Sequence, residues 1–360
     1  VTAQKKKKGA AVAKGEHEQL WSLQYLRALA AILVAIGHAV QIIPIYGRGN
    51  IVRDLPIGGA GVDIFFVISG FIMCHIHASR PTSGWAFFKR RLARVGPAYW
   101  IVTLATSAAI LLMPALFRTS TVDLPLFLAS MAFLAWPHPM LGEAMPVFLI
   151  GWTLNYEFFF YTLFALSIFI LPARPWLGVI WVFALCWVAG LVFEPDQPVA
   201  RFYLHPLTAE FAAGMLIWLA FRKGVLRSPI LGVMCILIGM ASLIWVNFHI
   251  PVGRLDSARI VYWGLPAFFL VIGAVCMDAA GKTPQSPLWR LLGDASYAIY
   301  LIHYLVLGLV RFLWGQFALK NLFSDILLIL FAVGLSLVAS IGFYLLIEKP
   351  ASARLRHMLE

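Results

Sequence analysis

Runs of about twenty apolar residues, separated by short charged or Pro- and Gly-containing segments, recur along this chain from Trp21 to Ile347. A helix rises about 1.5 Å per residue, so each run is long enough to cross the roughly 30 Å hydrocarbon layer of a bilayer. Inside that layer each backbone N–H and C=O must find its partner within the protein, and a helix satisfies them within one segment. The runs predict ten spans, at 22–43, 58–78, 97–117, 146–171, 175–193, 202–221, 229–250, 258–280, 295–316 and 324–347. The stretch at 124–136 is too short to cross and is expected to re-enter or lie at the interface. The expected fold class is therefore an all-α polytopic membrane protein. With 61% hydrophobic and 12% charged residues, the chain has no stretch left for a separate soluble domain. Residues 1–20 read as a disordered basic tail, 21–350 as one transmembrane domain and 351–360 as a second short tail.

A net charge of +12 would suit a nucleic-acid partner, but the placement of the charges says otherwise. With the N-terminus inside, nineteen of the 28 Lys and Arg residues fall on the cytoplasmic side. Arg48, Arg53, Arg118, Arg201, Arg254, Arg259 and Lys320 fall outside, and Arg27 and Arg311 lie within spans. That asymmetry predicts both termini in the cytoplasm and no nucleic-acid partner. The segment around Lys5 to Lys8 lacks the apolar core and cleavage site of a signal peptide. It is expected to stay in the cytoplasm, where it can also be attracted to anionic headgroups.

The first span carries two polar residues, Arg27 and His38. Eleven positions make about three turns plus 20°, so the two share one stripe, roughly 16 Å apart. A stripe of this kind should face a bundle interior or a wet cavity rather than lipid, although either side chain can also snorkel to its own interface. Gly37 leaves room for another group to approach His38. Asp63, in Gly61-Val62-Asp63-Ile64-Phe65-Phe66-Val67-Ile68-Ser69-Gly70-Phe71, should lie near the depth of His38. It can orient the imidazole or simply complement the N-terminal end of a helix dipole. The cytoplasmic loop Phe87-Phe88-Lys89-Arg90-Arg91-Leu92-Ala93-Arg94-Val95-Gly96-Pro97 places Arg91 and Arg94 three apart, a spacing that suits bidentate phosphate binding as well as orientation in the membrane. Glu157 falls among aromatic residues in span four and must be protonated, paired or wet. Glu210 and His303 read as hydrogen-bond partners between helices. The four cysteines show no CxxC spacing, and His75 and His77 point to different helix faces, so no metal is expected.

In their order and topology these segments, with Trp152-Thr153-Leu154-Asn155-Tyr156-Glu157, Ser296-Tyr297-Ala298-Ile299-Tyr300-Leu301-Ile302-His303 and Glu348-Lys349-Pro350, resemble the membrane-bound acyltransferase-3 family. Members of that family O-acylate bacterial surface and exported carbohydrates from a cytosolic acyl-CoA. The resemblance implies that His38 is catalytic and Arg27 its partner. It links Arg91 and Arg94, with the adjacent Arg90, to donor binding, and makes Glu157 a candidate catalytic acid. Trp152, Asn155, Tyr300 and His303 become candidate substrate contacts. The chain looks like the single-module exopolysaccharide acetyltransferases of the succinoglycan type, without an SGNH-type domain. The expected activity is acyl transfer, acetyl most of all, from acyl-CoA to a hydroxyl of an exported or lipid-linked saccharide at the bacterial inner membrane. His38 would serve as general base or acyl acceptor, and a neutral imidazole is required for either. Succinyl or a longer acyl group is one rival. The other is a multi-span exporter of a lipid-linked saccharide that uses Arg27, His38 and Glu157 as a relay.

Overall fold

Ten helices long and apolar enough to cross a membrane follow one another in the computed structural model, which describes residues 20–42, 56–114, 117, 120–250, 258–314 and 322–360. The basic N-terminal segment and Arg48, Arg53, Arg118, Arg254 and Lys320 lie outside the described residues. The elements are α1 (Trp21–Ile42), α2 (Ala60–Ser79), α3 (Gly84–Leu112), the short α4 (Leu124–Met131), α5 (Trp152–Ile170), α6 (Pro175–Phe193), α7 (Pro198–Tyr203), α8 (Ala209–Arg222), α9 (Pro229–His249), α10 (Leu265–Ala279), α11 (Pro287–Asp294), α12 (Ser296–Trp314), α13 (Leu322–Phe343) and α14 (Lys349–Leu359). Among the described residues the only β pairing is one isolated bridge, Pro137 to Ala144. Ten crossings would put the two ends of the described residues on the same side of a membrane.

Local chemistry sets the helix ends. Ser83, Asp123 and Ser228 accept from Ala86 N, Leu126 N and Leu231 N at 3.2, 2.8 and 3.3 Å. Pro175, Pro198, Pro229 and Pro287 open four helices, where a missing N–H costs nothing. The Ser83 cap starts α3 well before the apolar run, so the arginine segment 87–97 is the first half of a helix and not the expected loop. Residues 351–360, expected as a tail, are likewise helical through Leu359. They pack on α3, with Ser352 Oγ donating to Arg94 O at 3.3 Å and Lys89 Nζ donating to Leu359 O.

Burial separates the centre of the bundle from its rim. In the apolar window of α2, 78% of residues are buried, against 17% in α6. The helix at the centre is thus the one that carries Asp63 and Ser69. The large apolar side chains of α6, α9 and α13 turn outward, as suits a lipid face. Glycines bring α2, and the short turn Pro56–Gly58 that leads into it, against two neighbours. A Cβ on Gly58 would stand 2.6 Å from Gly37 Cα, and a Cβ on either Gly70 or Gly214 would stand 2.0 Å from a carbonyl oxygen of the facing helix.

The short stretch after α3 folds back into the bundle. Phe133 takes a positive φ of 58° and stacks on Phe158, with ring centroids 3.6 Å apart. Ser130 Oγ donates to Leu126 O and receives Val147 N at 2.9 Å, which ties the two limbs of the hook together. In this hook, burial holds the His138 imidazole below its ordinary range, with Asp123 opposing, and its Nδ1 accepts from Met140 N.

Candidate active site

A cavity of about 130 Å³ opens among α1, α2, α3, α5 and α12, and three guanidinium groups line it: Arg27, Arg91 and Arg94. Arg91 and Arg94 reach it together because three residues on a helix bring them to one face. Two carboxylates stand with them. Glu157 accepts from Ser69 Oγ at 3.3 Å and from Tyr161 OH. Glu348, fully buried, lies 3.6 Å from Arg94 Nη1. If all five are ionised, one positive charge remains, and Arg91 Nε is buried without a hydrogen-bond partner. Arg27 donates to Gln24 Oε1 at 3.3 Å, and Gln24 in turn donates to Asp294 Oδ1 at 2.8 Å, so the base of α1 is tethered to α11. Arg90, expected beside its neighbours, is exposed and does not line the cavity, because it points to another face of α3.

Phe65, Thr153 and Tyr300 also line the cavity. Tyr300 OH donates to Ile150 O at 2.7 Å and lies 2.8 Å from Thr153 Oγ1. His303 follows three residues later on α12, with its ring centroid 6.0 Å from that of Tyr300. His303 Nε2 is 2.9 Å from His38 Nδ1, and the two rings stack at 5.1 Å with 23° between their planes. Tyr304 meets His38 edge-on at 5.5 Å. Tyr300 and His303 therefore stand between the arginine cavity and His38, which does not itself line it.

Asp63 is held elsewhere. Its two oxygens take Arg259 Nε and Nη2 at 3.1 and 2.7 Å, a bidentate pair with the carboxylate fully buried. The imidazole it was expected to orient has His303 as its partner instead. By sequence Arg259 is only an outside charge. Its position beside the π-helical turn Ile260–Gly264 stacks it over Trp263 and Trp152, at 4.7 and 5.6 Å, and brings it back into the bundle. Glu210 is buried near the Asp63–Arg259 pair and faces Gly264.

The remaining expected contacts divide. Trp152 lines a second cavity, of about 390 Å³, together with Glu143, Arg201, His205 and Arg259. Asn155 is fully buried and donates to Leu134 O at 3.2 Å, so its amide holds the hook against α5. His77 Nε2 bonds to Pro172 O. Among the described residues no group of three or more His, Cys, Asp or Glu is placed to hold a metal ion.

The described residues thus form a polytopic all-α bundle with an arginine-lined cavity beside a buried histidine pair. The chain belongs to the acyltransferase-3 family, whose acyltransferase-domain model matches residues 20–345. It is 39% identical over 259 residues to the exopolysaccharide production protein ExoZ of Rhizobium meliloti (strain 1021), a match covering 71% of this chain and 78% of that one. It is 27% identical over 276 residues to the acyltransferase MdmB of Streptomyces mycarofaciens, covering 70% and 68% of the two chains. With nodulation protein 10 of Rhizobium leguminosarum bv. viciae the identity is 26% over 319 residues, covering 78% and 81%. No solved structure matches the chain. Ten apolar spans and this family membership make it a multi-pass protein of the inner membrane.

Proposed function

We propose that the chain moves an acyl group, acetyl first among the candidates, from cytosolic acyl-CoA to a hydroxyl of an exported or lipid-linked saccharide. The observation that carries this reading is the cavity in which Arg27, Arg91 and Arg94 converge, with Tyr300 on its wall linking it to the adjacent His303–His38 pair. Guanidinium forks match phosphate oxygens, and the unpartnered Arg91 Nε is a donor in need of an acceptor. Similarity to an exopolysaccharide production protein supports the saccharide as acceptor.

In this mechanism the CoA phosphates dock on Arg91 and Arg94, and Arg27 lies along the path of the pantetheine arm. His38 takes the proton of the acceptor hydroxyl as its oxygen attacks the thioester carbonyl. The new C–O bond forms, the C–S bond breaks, and the leaving thiolate recovers the proton as CoA thiol. Glu157, fixed by Ser69 and Tyr161, keeps the arginine cluster close to neutral.

Deleting the gene in its source bacterium tests the reading directly. The exported polysaccharide should lose O-acyl signals in its NMR spectrum and regain them on complementation. Unchanged signals, or saccharide export that depends on the gene but not on acyl-CoA, would overturn it. Donor binding gives a second expectation. Arg91→Gln should raise the half-saturating acetyl-CoA concentration about tenfold, the equivalent of about 1.4 kcal/mol for one charge-assisted contact. The deficit should shrink as salt rises, because screening weakens the wild-type contact and leaves the variant little to lose. The check is titration of purified protein with acetyl-CoA at two ionic strengths.

A further inference from the structure

We propose that His303 is a positioning residue that decides which nitrogen of His38 carries the proton. The inference rests on the acyl-transfer reading only for its consequence; the proton assignment itself follows from hydrogen-bond accounting. A carbonyl oxygen can only accept, so the 2.8 Å contact between His303 Nδ1 and Ile299 O puts the ring proton of His303 on Nδ1. Nε2 of that neutral ring is then an acceptor. It faces His38 Nδ1 at 2.9 Å, so His38 must donate from Nδ1. The opposite tautomer would set two lone pairs against each other beside a fully buried ring. His38 Nε2 is left unprotonated and free to act as the base.

A carboxylate commonly performs this task, but among the described residues none bonds to either ring, and Asp63 is occupied by Arg259. An imidazole imposes the same tautomer without placing a formal charge in hydrocarbon, where an unpaired one is costly. The helix backbone supplies the last link, since Ile299 O is one turn before His303 on α12. On the other side, the Cα-to-Cα seating of Gly37 on Gly58 fixes the stretch of α1 from which His38 projects. When His38 Nε2 takes the hydroxyl proton, the positive charge is shared along the Nδ1–H···Nε2 bond until the thiolate takes the proton back. No atom is gained or lost at His303.

The experiment has two arms on the full chain in lipid nanodiscs. Ring-¹⁵N histidine NMR, with His38→Gln to assign the signal, should show His38 protonated at Nδ1 and bare at Nε2; a proton on Nε2 in the wild type overturns the proposal. His303→Leu should abolish that preference. In the second arm, acetyl transfer from labelled acetyl-CoA is followed into the acceptor of membranes from the deletion strain. His303→Leu should lower the rate about 100-fold or more while leaving the half-saturating acetyl-CoA concentration unchanged. His303→Gln, whose Oε1 can accept the same bond, should recover to within about tenfold of wild type. A wild-type rate for His303→Leu, or an effect confined to half-saturation, overturns the proposal. Absence of transfer by the wild type instead defeats the acyl-transfer reading, and the NMR arm then decides the proton assignment alone.

Discussion

His38→Ala should abolish acyl transfer, lowering the rate by about 10³-fold or more, the range for losing a general base in the transition state. The protein should still insert, since alanine in an apolar span is favourable and the other nine spans are untouched. The lost ring leaves His303 Nε2 without its donor, a local cost of about 1–3 kcal/mol for a buried acceptor. That cost is small enough for the fold to survive, so activity and assembly separate in this variant. The measurement is labelled acetate passed from acetyl-CoA into membrane saccharide, read beside the yield of monodisperse protein in detergent. Retained transfer by well-folded His38→Ala would remove His38 from the reaction.

Gly70→Ala and Gly214→Ala should have the opposite signature, loss of the folded protein itself. A Cβ on Gly70 would meet Phe211 O at 2.0 Å, and one on Gly214 would meet Val67 O at the same distance and Phe71 N at 2.8 Å. These are rigid backbone atoms, so the strain cannot be relieved by a rotamer change, and α2 and α8 must move apart. Overpacking in a tight core costs about 1–3 kcal/mol, and contacts this short belong at or above the upper end. The span that contains α2 is the most buried of the ten, and displacing it also carries away Ser69 and the Asp63–Arg259 pair. Gly308→Ala and Gly334→Ala are the matched controls, since a Cβ at either meets nothing within 4 Å. Size-exclusion profiles and melting temperatures in detergent should separate the two pairs; equal behaviour would show that the close packing of α2 on α8 is not required.

The ten spans were legible because length and hydropathy act residue by residue and need no knowledge of neighbours. The Arg27–His38 stripe was equally local, a matter of helical pitch. What lay beyond reach was partnership across the chain. His303 was visible as a polar residue in span nine, but its meeting with His38 bridges 265 positions and depends on how α1 and α12 pack. Of the two local readings of Asp63, its place in the first turn of α2 suits the helix-dipole one, but its ion-pair partner is Arg259, 196 positions away, which the sequence offered only as an outside charge. Glu348 belonged to a motif that carried no stated role until α13 returned it to Arg94. The loop reading of 87–97 failed for another reason: charge density outweighed the Ser83 cap, the one local signal that a helix begins there.

The clasp of Arg94 by Glu348 and Ser352 also has a bearing on biosynthesis. The ribosome delivers Arg94 long before its carboxylate, so this guanidinium waits without its ion-pair partner until Glu348 is made. A nascent chain halted before residue 348 would have all three arginines of the cavity and still lack the contact that seats one of them, so the arginine cluster takes its final form only when the last span is in place.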